Sequence, residues 1–104
     1  MRKILVLGAG KIGALISGLL AESGDYAVAL ADVDGNASAA VAKAHGSERL
    51  TAHAVDATQR KALDAFLATH KIDAVVSSLP YYCNPVVAAA ARKADAHYFD
   101  LTED

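Results

Sequence analysis

Apolar and polar positions follow two alternating patterns along the chain. Five short runs are apolar or rich in strand-forming residues: Lys3 to Leu7, Tyr26 to Ala31, Leu50 to Val55, Ala74 to Ser77, and His97 to Asp100. Between them lie four stretches with helical spacing. Ile12, Leu15, Ile16, Leu19 and Leu20 fall at i, i+3, i+4, i+7 and i+8, one face of a helix. Ala37, Ala40, Val41 and Ala44 repeat the pattern, as do Val87, Ala90, Ala91 and Ala94, with a shorter version at Leu63, Phe66 and Leu67. Gly24 and Gly46 are placed to end the first two helices. Thr58 is placed to cap the start of the third, and Asn84-Pro85 reads as an N-cap followed by proline at the first helical position.

Strands alternating with helices of this length imply parallel pairing through right-handed crossovers. The first and fourth runs are apolar throughout, as expected where helices cover both faces of a sheet. The pattern predicts an α/β fold: one doubly wound parallel sheet of five strands in the order 3-2-1-4-5, helices on both faces.

The totals narrow the classes further. With 104 residues, 54 % of them hydrophobic, the chain reads as one domain, residues 1–104, with ample material for a core. A net charge of -2 without a basic run argues against nucleic-acid binding. Apolar runs are interrupted well short of the roughly 20 residues of a membrane span, and Met1-Arg2-Lys3 is followed by too short an apolar run for a signal peptide. The expectation is a cytoplasmic protein without membrane contact. Cys83 is the single cysteine, which excludes an internal disulfide. His45, His53, His70 and His97 lack ligand-like spacing, so no metal site is expected.

The chemistry lies in the first turn. Gly10-Lys11 suggests a triphosphate-binding loop, but that motif needs a glycine where Leu5 stands and a Ser or Thr after the lysine, where Ile12 stands. Gly8-Ala9-Gly10-Lys11-Ile12-Gly13 fits the dinucleotide fingerprint G-x-G-x-x-G, directly after a strand and opening a helix. Gly8 permits the tight turn, Gly10 leaves room for the pyrophosphate at the helix N-terminus, and Gly13 allows close packing of helix on strand. Asp32 stands 19 residues beyond Gly13 at the end of the second strand, where the fingerprint expects an acid for the adenosine ribose hydroxyls. A carboxylate there disfavours a 2′-phosphate, and Val33-Asp34-Gly35-Asn36 offers no cation, so NAD is favoured over NADP. Asp34 reads as the cap of the second helix. Further contacts are expected at the ends of the third and fourth strands: Asp56 and Ala57 toward the adenine, and Ser77, Ser78, Leu79 and Pro80 toward the pyrophosphate and nicotinamide ribose. Helix capping explains Asp56 equally well. Cys83 reads as a small, partly buried residue, and no catalytic residue is identified.

Val75-Val76-Ser77-Ser78-Leu79-Pro80-Tyr81-Tyr82-Cys83-Asn84-Pro85-Val86-Val87-Ala88 and His97-Tyr98-Phe99-Asp100-Leu101-Thr102-Glu103-Asp104 resemble the amino-terminal domain of the saccharopine dehydrogenase-like family, which includes lysine dehydrogenases. The resemblance covers essentially the whole chain. It implies a Rossmann domain binding NAD(P), with hydride transfer at a carbon bearing an amino group. It places the pyrophosphate turn on Gly8, Gly10, Lys11, Ile12 and Gly13, and the ribose on Asp32. Val33 stands where many members carry a basic residue, which again favours NAD. The family's substrate domain follows this region, so an amino-acid substrate is expected only with that second domain, and the 104 residues alone are not expected to turn over. By topology Asp100, Thr102 and Glu103 lie near that junction, and apolar surface left there favours a homo-oligomer. The alternative reading is a stand-alone nucleotide-sensing module, similar to the regulatory domains of potassium-uptake systems.

Overall fold

The strand that begins the chain lies at the centre of the sheet. In the computed structural model, which describes residues 1–101, β1 (Arg2–Leu7) pairs with β2 (Tyr26–Asp32) on one side and β4 (Ala74–Ser77) on the other. β3 (Leu50–Ala54) and β5 (His97–Asp100) complete the edges, giving the order β3-β2-β1-β4-β5 with every pair parallel. This is the Rossmann-like order expected from the alternation of strands and helices.

Burial on both faces explains the apolar runs. Leu5 and Leu7 enter one cluster with Val75, Leu63 and Val87, while Ile4 and Val6 enter another with Val28, Leu30 and Ala21. Each fully buried leucine of this kind contributes about 1.5–3 kcal/mol. α3 (Arg60–Thr69) and α4 (Asn84–Lys93) cover the first face, α1 (Lys11–Ser23) and α2 (Gly35–His45) the second. Gly24 and Gly46 end α1 and α2 in left-handed conformation, donating to the carbonyls of Ala21 and Ala42. Asp64 ties the α3–α4 layer together, bonded to Arg60 at 2.9 Å and Lys93 at 3.4 Å, and the Arg60 guanidinium holds its carboxyl below the usual range.

Three local expectations are corrected. The face α1 turns to the sheet is Gly13, Ser17 and Ala21, with Ile16 and Leu20 half-buried; Ile12, Leu15 and Leu19 are 55–59 % exposed. Close approach of the helix at Gly13 demands small residues one and two turns later, so the bulky positions are pushed to the flanks. Thr58 does not cap α3: that helix starts after Gln59, and the Thr58 N–H and hydroxyl both donate to Asp56. Asn84 is the first residue of α4 rather than its cap, because a 3₁₀ turn (Tyr81–Cys83) runs directly into the helix with Cys83 already in helical conformation. Among the described residues, no helix is long and apolar enough to cross a membrane. Thr102 and Glu103, expected near a domain junction, lie outside the described residues.

Candidate functional site

The carboxyl ends of β1, β2 and β4 meet at the glycine turn, whose three glycines stand there for three different reasons. Gly8 has φ +101°, a left-handed conformation, and a Cβ on it would lie 2.7 Å from Ser78 Oγ. A Cβ on Gly13 would overlap the carbonyl oxygen of Gly8, so the helix can sit this close to the turn only without a side chain. Gly10 is different. Its φ of -71° and ψ of -172° suit any residue, and nothing lies within 4 Å of where its Cβ would be. Neither the backbone nor the packing calls for glycine at this position. What a side chain would fill is the open space in front of the helix.

That space faces unsatisfied donors. Gly10 is the N-cap of α1 and offers no side chain to its first turn, which also contains no acidic residue. The first bond of the helix runs from the Ala14 N–H to the Gly10 carbonyl at 2.9 Å, so the N–H groups before Ala14 have no acceptor within the helix. Together with the helix dipole, they form a setting for an anion. Lys11 and Ile12 are exposed beside it. Asp32 stands against the turn from the β2 side: one carboxylate oxygen accepts from Ala9 N–H at 2.8 Å, the other from Asp34 N–H at 2.9 Å.

A crevice of about 210 Å³ continues from Asp32 across the strand ends, lined by Val33, Asp56, Ala57, Leu79, Pro80 and Cys83. The crevice thus brings Asp32, Val33, Asp56, Ala57, Leu79 and Pro80 together among the residues expected from sequence. Val33 is 72 % exposed at the rim. Asp56 Oδ1 accepts from the Thr58 hydroxyl at 2.6 Å and its N–H at 3.0 Å, which holds the carboxyl below its ordinary range and keeps it charged at neutral pH. Among the described residues the crevice lining carries two carboxylates and neither lysine nor arginine.

The two serines expected toward the pyrophosphate and nicotinamide ribose are not among the residues that line this crevice. Ser77 follows Val75 on the α3–α4 face and is 1 % exposed; its hydroxyl donates to Asn84 Oδ1 at 2.9 Å. Ser78 points to the other side, its hydroxyl 2.9 Å from the Leu7 carbonyl and 3.2 Å from that of Gly8. Both hydroxyls donate to protein acceptors, on opposite sides because side chains alternate faces along a strand. Asn84 was missed as a site support because a polar residue before proline reads as a cap. Tyr81 and Tyr82, exposed by 72 % and 69 %, lie on the 3₁₀ turn between the lining residues Pro80 and Cys83, with rings edge to face. On β5, burial and then the nearby Asp100 push the Tyr98 phenol up to about 12, so it remains protonated at neutral pH.

A family model described as "Saccharopine dehydrogenase NADP binding domain" matches residues 4–103. The chain belongs to this family. Its members' domain is a dinucleotide-binding one, and the glycine turn, the open helix start and Asp32 are the parts of this chain suited to that role. Among solved structures, saccharopine dehydrogenase (L-Glu forming) from Saccharomyces cerevisiae is similar over 100 % of this chain and 22 % of its own length, with 28 % identity and a TM-score of 0.86. UDP-glucose 4-epimerase from Bifidobacterium longum, solved with NAD+ and UDP, matches 98 % of this chain and 37 % of its own, at 17 % identity and a TM-score of 0.77. A Rossmann-fold NAD(P)-binding family protein from Shigella flexneri matches 94 % of this chain and 50 % of its own, at 21 % identity and a TM-score of 0.75. These last two likenesses show the fold alone. No curated protein sequence matches the chain. The saccharopine dehydrogenase domain thus spans about a fifth of the yeast enzyme it resembles.

Proposed function

We propose that this chain is the cofactor-binding part of an oxidoreductase that moves a hydride to or from a carbon bearing an amino group, in an amino acid or related amine, and that it takes NAD(H) in preference to NADP(H). The observation that carries the reading is Gly10, a glycine required by neither φ nor packing, set before an uncapped helix start. In this reading the pyrophosphate lies against the N–H groups of Gly10, Lys11, Ile12 and Gly13, and Asp32 accepts from the adenosine ribose hydroxyls. Asp56 and Ala57 border the adenine, and Leu79 and Pro80 the nicotinamide side. When bound, the nicotinamide supplies the hydride acceptor or donor.

The NAD preference rests on charge. A 2′-phosphate would stand against Asp32, with Asp56 in the same crevice and no lining cation to offset them. Like charges about 4 Å apart near a surface repel by roughly 4 kcal/mol. The family's description names NADP; the acid at 32 and the apolar Val33 lead this chain the other way. Hydride transfer further needs the substrate carbon held roughly 3–3.5 Å from the nicotinamide. We assign that task to a second domain, so the 104 residues alone are expected to bind but not to turn over.

Calorimetric titration tests the reading. NADH should bind at least about tenfold more tightly than NADPH. Equal or tighter binding of NADPH would remove the Asp32 argument, and binding of neither would remove the dinucleotide reading.

A further inference from the structure

The peptide unit joining Gly8 to Ala9 is gripped at both ends by side chains from different strands. Its N–H, that of Ala9, donates to Asp32 Oδ2 at 2.8 Å, from the end of β2. Its carbonyl, that of Gly8, lies 3.2 Å from the Ser78 hydroxyl, which also donates to the Leu7 carbonyl at 2.9 Å from just beyond β4. Ser78 is itself held, because its own N–H donates to Leu7 O at 2.9 Å, one step beyond the β1–β4 ladder. The same hydroxyl occupies the notch left by the two outer glycines: a Cβ on Gly8 would lie 2.7 Å from Ser78 Oγ, and one on Gly13 2.8 Å. The absence of side chains at Gly8 and Gly13 and the presence of a hydroxyl at Ser78 are therefore one packing unit.

We infer that Ser78 is a positioning residue which, with Asp32, clamps the Gly8–Ala9 peptide and so fixes the direction of the N–H groups at the start of α1. A peptide plane rotates about the single bonds on either side of it, and a glycine at one end leaves that rotation free. Holding the carbonyl alone or the N–H alone leaves the turn free to pivot about the held end. Holding both from opposite sides of β1 does not. Gly10 follows at once, so the orientation of this peptide sets where the donors before Ala14 point. Donors already aimed need not be ordered when the ligand arrives, and preorganisation of this kind raises affinity without adding a contact. Ser78 thus acts on the dinucleotide through the turn and does not touch it. The inference rests on the dinucleotide reading above for its ligand, but not for its geometry.

Ser38 supplies a matched control. Its hydroxyl is also buried and also binds two carbonyls, Gly35 O at 3.2 Å and His53 O at 2.8 Å, but at the start of α2. The test compares Ser78→Ala with Ser38→Ala on the whole chain, by NADH titration and by hydrogen exchange of the Ala9 amide. Ser78→Ala should weaken NADH binding about tenfold, the cost of one hydrogen bond, and speed Ala9 exchange. Ser38→Ala should lower the melting temperature while leaving both readouts unchanged. Should Ser78→Ala fail to fold, Ser78→Cys, which keeps the volume and weakens the donor, is read in the same way. NADH binding within twofold of the parent in the Ser78 variant, or an equal loss in Ser38→Ala, would overturn the clamp. If the parent itself binds no NADH, the dinucleotide reading fails, and unchanged Ala9 exchange in the Ser78 variant would then separately refute the clamp.

Discussion

α1 and α2 both start at the carboxyl end of a central strand, and their first turns are satisfied in opposite ways. α2 follows Asp34, whose side chain accepts from Asn36 N–H at 2.9 Å and whose carbonyl accepts from Ala37 and Ser38. The donors of Asn36, Ala37 and Ser38 are thus taken up by its own cap. α1 follows Gly10, which offers its first turn no side-chain acceptor, where Ser, Thr, Asp or Asn would supply one. One helix start is capped by an acid and its neighbour is bare. The glycine at 10 and the open space before it support the proposal that a ligand with negative charge binds there.

The largest effect is expected at Gly13. Gly13→Ala sets a methyl against the Gly8 carbonyl and should cost more than roughly 3 kcal/mol, with loss of both fold and binding. Gly10→Val should do the reverse. Its backbone angles and surroundings accept the side chain, so thermal melting should show a loss of about 1 kcal/mol for an apolar N-cap, while NADH affinity falls roughly 100-fold or more because the side chain fills the ligand's space. If both variants lose binding only in proportion to stability, the turn is structural. At the other helix, Asp34→Ala should lower stability by about 1 kcal/mol, a shift of some 4–8 °C in a domain of this size, with NADH affinity unchanged.

How far the sequence carried these distinctions depended on whether the decisive contact was local. Strand order followed from alternation and handedness, and the three glycines with Asp32 were readable from spacing. The cap at Asp34 was readable too, because it bonds two residues ahead. Ser77, Ser78 and Asn84 were not legible in the same way. Their partners lie 7 to 71 residues away, and a serine pair before a proline looks like a turn on the ligand side until the strand's alternation is known. The buried face of α1 was misread for a related reason. Apolar periodicity marks the bulky residues, whereas close approach at Gly13 selects small ones at 17 and 21.

The smallest expected effect lies away from both helix starts and serves as a check on them. His53 packs against Phe66 and His70, with its ring 2.8 Å from the Thr51 hydroxyl. Burial, and then the neighbouring His70, lower its pKa from the ordinary 6.5. Because the folded state prefers the neutral ring, this contribution to stability is full above pH 6.5 and is lost as pH falls below it. The melting temperature should therefore drop less between pH 7.5 and 5.5 in His53→Gln than in the parent, with NADH affinity the same in both. An unchanged drop would mean that the fold does not disfavour the charged form of His53.

The most direct test of the contrast between the two starts is an amide-resolved NMR titration of the ¹⁵N-labelled chain with NADH. The account predicts that Gly10, Lys11, Ile12 and Gly13 show the largest shifts, while Gly35, Asn36 and Ala37 at the capped start of α2 move little. Shifts of equal size at both helix starts, or the largest shifts away from the glycine turn, would contradict it.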